Sequence, residues 1–359
     1  MRASHGLVIG KFYPPHAGHH HLVRYAAERC ERLTVVVMAA SVESIPLELR
    51  VGWMREVHAR DAGVTVVGIR DDLPIDYESD TIWRGHVDLM LQAARTVSSE
   101  AVDAVFTSEP YGDELARRLG ARHVLVDLAR VANPISGTAA RADPVAAWAM
   151  LAPCVREHLA LRVVFVGAES TGKTTLAAAL AAALRDRGGV WVATEWVAEV
   201  GREITEAKVT ALGPSGDIDA LVWETRDFVH IARLQGEREA DAARRGGPVI
   251  VCDTDAFATG IWHERYRAER AAEVDALGEP APHHLYLLTH PDDVPFVQDG
   301  LRDGEHLRSW MTDRFVDRLS SSGRRWRWLR GGREGRLARA VAAVDEAVAS
   351  GWVFAAPLA

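Results

Sequence analysis

The sequence predicts an α/β protein of two domains, each built on a parallel β-sheet. The chain has 359 residues, which at roughly 150 residues per domain suggests two domains. Short apolar runs rich in β-branched residues alternate with segments of helical periodicity, which is typical of parallel sheets covered by helices. The alternation runs through two cycles, and the second begins at Leu161.

The composition excludes several classes of protein. Hydrophobic residues make up 48% of the chain and charged residues 26%, which indicates a folded chain rather than a disordered one. The net charge of −8 disfavours nucleic acid as the main partner. Three cysteines far apart in sequence indicate neither a disulfide framework nor a zinc site. Without a signal-peptide-like start or an apolar stretch of membrane-spanning length, we expect a cytoplasmic protein with no membrane partner.

The first cycle begins with the run GLVIG at residues 6–10, which is short and bounded by glycine and therefore predicts a buried strand. Helical spacing of apolar residues follows at 16–28. The remaining strands of this cycle are predicted at 33–40, 64–69, 104–108 and 124–127, and its remaining helices at 49–60 and 81–95.

The second cycle has predicted strands at 161–166, 190–193, 249–252 and 285–288, and predicted helices at 172–187, within 219–245 and at 337–349. Loops or short helices are expected at 205–217 and 267–282. A strand and turn with a solvated basic face is expected at 324–333, with a nucleotide or polyphosphate contact as the alternative. A predicted helix leads directly into the first strand of the second cycle, without a Gly/Ser linker. The predicted domains are therefore 1–158 and 159–359.

The second cycle opens with a phosphate-binding motif. Residues 167–174, GAESTGKT, match G-x-x-x-x-G-K-[ST] between a predicted strand and a predicted helix. Glycines allow a tight turn whose N–H groups point at one phosphate, and the helix N-terminus favours the anion. Lys173 would meet the β- and γ-phosphates, and the Thr174 hydroxyl would bind Mg²⁺. The predicted nucleotide-binding residues here are Gly167, Glu169, Ser170, Thr171, Gly172, Lys173, Thr174 and Thr175.

Acidic and basic residues later in this cycle complete the predicted site. Asp253 and Asp255 follow a buried strand, where an acid faces the ligand crevice. We predict that Asp253 serves the metal and that Asp255 meets an acceptor hydroxyl. Arg302, in the glycine- and charge-rich segment DGLR, is predicted to neutralise charge on the transferred phosphoryl group. Glu195, Glu199 and Arg202 are candidates for holding a small acceptor, with a merely solvated helix face as the alternative.

The first cycle carries a second motif, GKFYPPHAGHH, directly after its first strand. His16 and His19 lie three residues apart, so both fall on neighbouring positions of one helical face. Imidazoles at a helix N-terminus can donate hydrogen bonds to phosphate oxygens. The predicted nucleotide-binding residues of this strand end are Gly10, Lys11 and Phe12.

The segment ISGTAAR, near the end of the first cycle, adds three candidates. Ser136 and Thr138 offer hydroxyls, and Arg141 can hold a triphosphate in a fixed fork. Taken alone, Ser136 could equally be a helix N-cap. Together with the histidine motif, the segment predicts a site for adenylyl transfer.

GKFYPPHAGHHHL and ISGTAAR resemble the HxGH and ISxTxxR signatures of the nucleotidyltransferase superfamily. Followed by the P-loop, they resemble the bifunctional nicotinamide-mononucleotide adenylyltransferase/ribosylnicotinamide kinase family, the NadR type. TSEPYGDELARRLGARHVLVD, CDTDAFAT and DGLR agree with it. The resemblance implies a Rossmann-like HxGH transferase domain followed by a P-loop kinase domain. Enterobacterial members carry an additional N-terminal helix-turn-helix domain, which we expect this chain to lack because its first strand begins within ten residues of Met1.

The resemblance also implies two reactions. The kinase half phosphorylates nicotinamide riboside with ATP, and the transferase half joins the mononucleotide (NMN) to AMP from ATP, giving NAD and pyrophosphate. Both need Mg²⁺, which Thr174 and Asp253 would hold in the kinase half. His16 and His19, with Lys11 and Arg141, would stabilise the triphosphate. Trp83 resembles a tryptophan of the family's transferase domain and is a candidate for stacking on the nicotinamide ring, and Trp196 or Trp223 could do so in the kinase. Homo-oligomers are common in the family, so an oligomer is expected by analogy alone.

Two other functions stay open at this point. One is adenylyl transfer to another phosphorylated acceptor, such as a flavin or pantetheine precursor, which the P-loop half disfavours. The other is a nucleotide-sensing protein whose sites bind but turn over poorly. Intact motif residues, such as Lys173 and His19, favour catalysis but do not decide between the two, since binding and catalysis use the same side chains.

Overall fold

The computed structural model of the chain describes residues 2–213, 218–279 and 283–358. It divides into two compact units, Met1–Val155 with Val353–Ala359 and Arg156–Trp352. The predicted boundary between residues 158 and 159 is close to this division, whereas the last residues of the chain lie with the first unit. The assignment of one activity to each part of the chain stays a prediction.

The first unit is a five-stranded parallel sheet covered by helices. Its strands are β1 Ala3–Gly10, β2 Cys30–Ala39, β3 Val64–Arg70, β4 Ala104–Thr107 and β5 Arg122–Leu125. Its helices are α1 Ala17–Ala27, α2 Leu47–Val57, α3 Asp80–Arg95, α4 Gly112–Leu119, α5 Gly137–Ala142 and α6 Pro144–Ala147, and helix α7 Pro153–Leu159 crosses the division. The strand order is β3-β2-β1-β4-β5. The order in which successive strands are added to the sheet therefore reverses between β1 and β4, and ligands bind at such a point in open α/β sheets.

Alternate residues of the central strands of this sheet enter two apolar cores, one on each face. Val8 and Phe106 pack with Val23 of α1 on one face. Leu7 and Val105 pack on the other face with residues of α3 and α4. Burial on both faces explains why these strands read as continuous apolar runs in the sequence.

The second unit repeats the architecture. Its strands are β6 Leu161–Val166, β7 Trp196–Val197, β8 Val249–Asp253, β9 His284–Thr289 and β10 Trp326–Leu329. Its helices are α8 Lys173–Arg185, α9 Val200–Ala211, α10 Thr225–Arg245, α11 Ala256–Arg267, α12 Ala272–Leu277, α13 Arg308–Ser321 and α14 Arg333–Gly351. The strands are parallel in the order β10-β9-β6-β8-β7, so β6 lies at the centre and its carboxyl end opens onto the P-loop.

The predicted fold class, two parallel-sheet α/β domains, is confirmed. The strand predicted at 190–193 is wrong, because Gly189–Ala193 forms a 3₁₀ helix and the strand is Trp196–Val197. Gly188 and Gly189 adopt positive φ angles of 74° and 57°, so the chain turns where the predicted strand would begin. The described part of the predicted loop at 205–217 belongs to α9 as far as Ala211. Within the described residues, no helix is long and apolar enough to cross a membrane.

Candidate active sites

The P-loop of the second unit has the backbone that phosphate binding requires. Gly167 and Gly172 have φ angles of 142° and 82° between β6 and α8. A Cβ atom on Gly167 would lie 2.4 Å from the Thr289 hydroxyl oxygen, so only glycine fits there. Lys173 Nζ donates to the Ala168 carbonyl oxygen at 2.8 Å, which holds the ammonium group across the loop. The loop thus places its cation beside the N–H groups that receive a phosphate.

A cavity opens on this loop and combines a charged side with an aromatic side. The charged side is formed by Glu199, Arg202 and Arg302, next to the P-loop residues 169–175. The aromatic side is formed by Trp223, Phe228, Trp262 and Tyr266. The Trp223 ring centroid lies 5.4 Å from the centroids of both Phe228 and Tyr266. Such a cavity suits a ligand with a flat ring at one end and a polar group near the phosphates.

Asp253 and Thr174 form the part of this site that fits a divalent cation. Asp253 is buried at the end of β8, and the Thr174 hydroxyl hydrogen-bonds to its carboxylate. Its Oδ1 atom is buried and has no hydrogen-bond partner among the described residues. Those residues contain no cluster of three or more His, Cys, Asp or Glu side chains that could hold a metal. One carboxylate and one hydroxyl suit Mg²⁺, which keeps several waters and binds substrate phosphates.

Glu199 is a carboxyl group on the cavity wall whose pKa is shifted toward neutral pH. It immediately precedes helix α9, whose first amide, that of Val200, donates to the Gln235 side chain at 3.1 Å. Desolvation by the surrounding protein raises the pKa of Glu199 to about 7, and the negative charge of Asp253 adds to the effect while Lys173 opposes it. A carboxyl group with this pKa can accept a proton near neutral pH.

Asp255 and Glu195 are not brought to the cavity. Asp255 caps helix α11 by accepting from the Ala258 amide at 2.9 Å, and it also accepts from the Tyr286 hydroxyl at 2.7 Å. Each of its oxygens therefore already accepts a hydrogen bond within the fold, and its contact with an acceptor hydroxyl stays a prediction. Glu195 lies with Trp196 in a separate cleft lined by α10 residues.

The segment that carries Arg302 is tied to the P-loop. Arg302 lies 3.4 Å from the Ser170 hydroxyl and forms an ion pair with Asp299 at 3.3 Å. Arg202 pairs with the same Asp299 at 3.1 Å. Both arginines therefore reach the phosphate end of the cavity, where they can neutralise charge.

Arg265 organises the same region and was not singled out by any sequence motif. It pairs with the P-loop residue Glu169 at 2.8 Å and with Asp303. The Gly304 amide donates to the second Glu169 oxygen at 2.9 Å. Glu169, predicted as a nucleotide ligand, thus uses its carboxylate to hold the Arg302 segment.

In the first unit, the histidine motif forms a compact pair at the start of α1. The rings of His16 and His19 are stacked, with centroids 3.7 Å apart. The His16 backbone amide donates to His19 Nδ1 at 3.2 Å. In a neutral imidazole whose Nδ1 accepts, the proton lies on Nε2, so His19 has an N–H to offer. Both ring nitrogens of His16 are buried without a hydrogen-bond partner among the described residues.

Both imidazoles are neutral at physiological pH. Burial, together with the positive charge of Arg130, lowers the pKa of His16 to about 4. Burial also holds the pKa of His19 well below 6.5, together with His16, His20 and Arg130. The two histidines therefore offer neutral N–H donors, and the positive charge of this site comes from arginine and lysine side chains.

Two of these cations line the same cavity as the histidine pair. Lys11, Arg130 and Ser136 line the cavity that contains His16 and His19. Arg130, in the loop after β5, belongs to no motif that the sequence analysis used.

The ISGTAAR segment lies next to the same motif. Ser136 caps α5 by accepting from the Ala139 amide at 3.1 Å. Arg141 donates to the Tyr13 carbonyl at 2.7 Å and lies 3.3 Å from the Thr138 hydroxyl oxygen. Arg141 thereby links the two predicted motifs.

A second, mainly apolar cavity adjoins β1 and contains Trp83. Its apolar walls are Ile9, Met38, Leu73, Trp83, Met90, Tyr111 and Leu358. The Trp83 indole N–H donates to the Tyr77 carbonyl at 3.0 Å, which fixes the ring. Gly10 and Lys11 line both this cavity and the histidine cavity. A flat ring at Trp83 and a phosphate at the histidines could thus belong to adjacent parts of one site.

Comparisons with known proteins find relatives that match most of the chain. The AAA domain family model matches residues 162–336. The trifunctional NAD biosynthesis/regulator protein NadR of Escherichia coli K12 is 25% identical over 313 residues, 83% of this chain and 71% of the relative. The Salmonella typhimurium protein is 24% identical over 315 residues, with the same coverage. The chain is a homologue of NadR.

Further comparisons find similarity to solved NadR structures and to one adenylyltransferase. Crystal structures of NadR in complex with NR, and with NAD and AMP-PNP, match with a TM-score of 0.72 at 20% identity, covering 96% of both chains. Nicotinamide-nucleotide adenylyltransferase of Aeropyrum pernix is 45% identical over 53 residues, 15% of this chain and 30% of that protein. The chain is thus similar in sequence to NAD biosynthesis proteins named NadR over most of its length, and it shares the fold of the solved NadR structures.

Proposed function

We propose that the chain carries out two consecutive steps of NAD salvage. The second unit transfers the γ-phosphoryl group of ATP to nicotinamide riboside, giving NMN. The first unit transfers the adenylyl group of a second ATP to NMN, giving NAD and pyrophosphate. The observation that carries this proposal is that each unit has its own phosphate-binding motif beside its own aromatic cavity.

In the phosphoryl transfer, the riboside hydroxyl attacks the γ-phosphorus, the bond to the bridging oxygen breaks, and ADP leaves. Glu199 is the group that accepts the hydroxyl proton, because its raised pKa and its place on the cavity wall suit a general base. Lys173 and Arg302 neutralise charge on the transferred group. The Trp223 side of the cavity receives the nicotinamide ring.

The residues present also fit Mg²⁺ in this unit. Thr174 and Asp253 would hold it, directly or through water, and Asp253 Oδ1 is an orphaned buried oxygen of the right kind. When bound, the cation supplies charge neutralisation on the β- and γ-phosphates.

In the adenylyl transfer, an NMN phosphate oxygen attacks the α-phosphorus of ATP and pyrophosphate leaves. A side-chain nucleophile is not required, so this chain's residues act by positioning and by stabilising charge. The neutral His16 and His19 rings donate hydrogen bonds to the phosphates, while Lys11, Arg130 and Arg141 supply positive charge. Trp83 receives the nicotinamide ring of NMN.

Product analysis of the two half-reactions tests the proposal. The protein is incubated with ATP and Mg²⁺ and with either nicotinamide riboside or NMN, and the products are separated by chromatography. We expect NMN and NAD from the riboside, and NAD with pyrophosphate from NMN. If the riboside yields NMN but no NAD forms from either substrate, the transferase assignment is refuted. If NMN yields NAD but the riboside yields neither NMN nor NAD, the kinase assignment is refuted.

A further inference from the structure

Segment 353–358 lies against the histidine-motif residues of the first unit. The Ala355 amide donates to the Ser44 hydroxyl oxygen at 2.6 Å, and the Tyr13 hydroxyl donates to the Ala355 carbonyl at 3.0 Å. The Tyr13 oxygen in turn accepts from the Ser44 amide at 3.0 Å. The Phe354 ring packs edge-on against Tyr13, with centroids 5.9 Å apart. Ala355 is therefore held at both its N–H and its C=O.

The end of this segment reaches the motif's cation. Lys11 Nζ donates to the Leu358 carbonyl at 3.0 Å. The Leu358 side chain lines the same apolar cavity as Trp83. The segment therefore accepts a hydrogen bond from the cation of the motif and also lines part of the adjoining cavity.

A phosphate group would compete well with the Leu358 carbonyl for the Lys11 ammonium group. Lys11 also lies 3.3 Å from Glu43, but Glu43 is shared with Arg50, whose guanidinium nitrogen is 2.6 Å away. Positive charge therefore remains for an anion. A hydrogen bond between an ammonium group and a charged phosphate is roughly twice as strong as one between neutral partners, and stronger than one to a neutral carbonyl.

The attachment of the segment is also slight. Val353 is 82% exposed, and Ala356 is exposed as well. Among the described residues, the polar contacts of the segment are made by Ala355 and Leu358. A segment held by three hydrogen bonds, of which only the one from Lys11 has a charged partner, can be displaced by a charged ligand of the same site.

We propose that segment 353–358 is an internal strap that covers the acceptor side of the histidine-motif site and is displaced by a polyphosphate anion. The assignment of that anion to ATP rests on the proposed transferase function. With the strap present, the apparent affinity is the intrinsic affinity multiplied by the fraction of molecules in which the strap is not seated, so removing the strap tightens binding without adding a contact.

Binding of inorganic tripolyphosphate tests the strap without turnover. All proteins carry Lys173→Ala, which removes the P-loop cation from the measurement. The chain is compared with a variant lacking residues 353–359, with Ser44→Ala, and with Ser321→Ala as a matched control on the exposed end of α13. Affinity is measured by calorimetry, and hydrogen exchange of segment 353–358 is followed with and without tripolyphosphate.

We expect tripolyphosphate to speed exchange of the segment. We expect removal of the segment to tighten binding about tenfold, the equivalent of one or two hydrogen bonds, and Ser44→Ala to tighten it less. Ser321→Ala should change nothing, and a synthetic 353–359 peptide should reverse the effect of removal. Unchanged or weaker binding in both variants, or slower exchange with ligand, would overturn the strap. If these binding results hold while NMN yields no NAD, the transferase assignment fails and the strap stands.

Discussion

At the scale of single residues, the carboxyl group of Glu199 decides the kinase mechanism. Its pKa near 7 is a property of its surroundings, because desolvation and the Asp253 charge both oppose its ionisation. A general base must be deprotonated to act, so the proposed mechanism makes phosphorylation depend on this one group.

Glu199→Gln should lower kcat for riboside phosphorylation by about 10²- to 10⁴-fold, the usual contribution of a general base. In the unsubstituted chain, kcat/KM should rise with pH through about 7, because deprotonation creates the base. The substitution should abolish that rise. Rates are measured from pH 5.5 to 8.5.

Glu195→Gln is the matched control for this experiment. Glu195 is four residues earlier and lies in a different cleft, so its substitution should leave the rate and the pH profile unchanged. Equal losses in the two variants, or an unaltered pH profile in Glu199→Gln, would contradict a proton-accepting role for Glu199.

At the scale of elements, the start of helix α9 is what positions Glu199. Gln235 of α10 is 1% exposed, accepts from the Val200 amide and donates to Glu239 at 3.1 Å. Burial raises the pKa of Glu239 to about 8, so this network is held largely uncharged at neutral pH. Helix α10 thereby anchors the first turn of α9 behind the cavity.

Gln235→Leu should destabilise the second unit by about 1–3 kcal/mol, because the Val200 N–H loses its buried acceptor. The substitution should also lower kcat/KM for the riboside and shift the midpoint of the pH profile, because Glu199 immediately precedes Val200, the residue that Gln235 holds. Gln92→Leu, on the exposed face of α3, is the control. A loss of stability with unchanged kinetics would limit Gln235 to a structural role.

Elements also explain how far the sequence could predict these sites. The P-loop is predictable because its glycines, lysine and threonine act within eight consecutive residues. The place of Asp255 is not, because its second oxygen is taken by Tyr286 on a strand 31 residues later. Arg130 and Arg265 gain their importance only from the loops that the fold brings beside them, and no local pattern marks such residues.

The choice between Glu195 and Glu199 needed the structure for a similar reason. The run VWVATEWVAEV contains two acids four residues apart, both plausible after a predicted strand. The strand was predicted too early in the chain, because the valines within 190–193 resemble a strand pattern. In the structure the chain turns at Gly188 and Gly189, and residues 189–193 form a 3₁₀ helix. Which acid faces the P-loop depends on where β7 ends and α9 begins.

At the scale of the whole molecule, buried neutral histidines link stability to pH. Burial lowers the pKa of His16 to about 4 and that of His20 to about 3, against 6.5 in an unfolded chain. Between pH 6.5 and about 4 the unfolded state therefore binds more protons, so stability is full above pH 6.5 and falls as the pH falls.

From pH 7 to pH 5, each of these two histidines should lower the free energy of unfolding by about 2 kcal/mol. Urea unfolding at both values measures the loss. His20→Gln should lose about 2 kcal/mol less than the unsubstituted chain over this range, whereas His21→Gln, one position along α1 and half-exposed, should not differ. Equal pH dependence in all three proteins would refute neutral burial of His20.

The central claim is that one chain holds two separate catalytic sites that act in sequence. Its most direct test is complementation between Lys173→Ala and His19→Ala, each incubated with nicotinamide riboside, ATP and Mg²⁺. Alone, Lys173→Ala should make NAD only when NMN is supplied, and His19→Ala should stop at NMN. Mixed, they should make NAD from the riboside, because each contributes the unit that the other has lost. A mixture that makes no NAD, although the unsubstituted chain does, would contradict two independent sites.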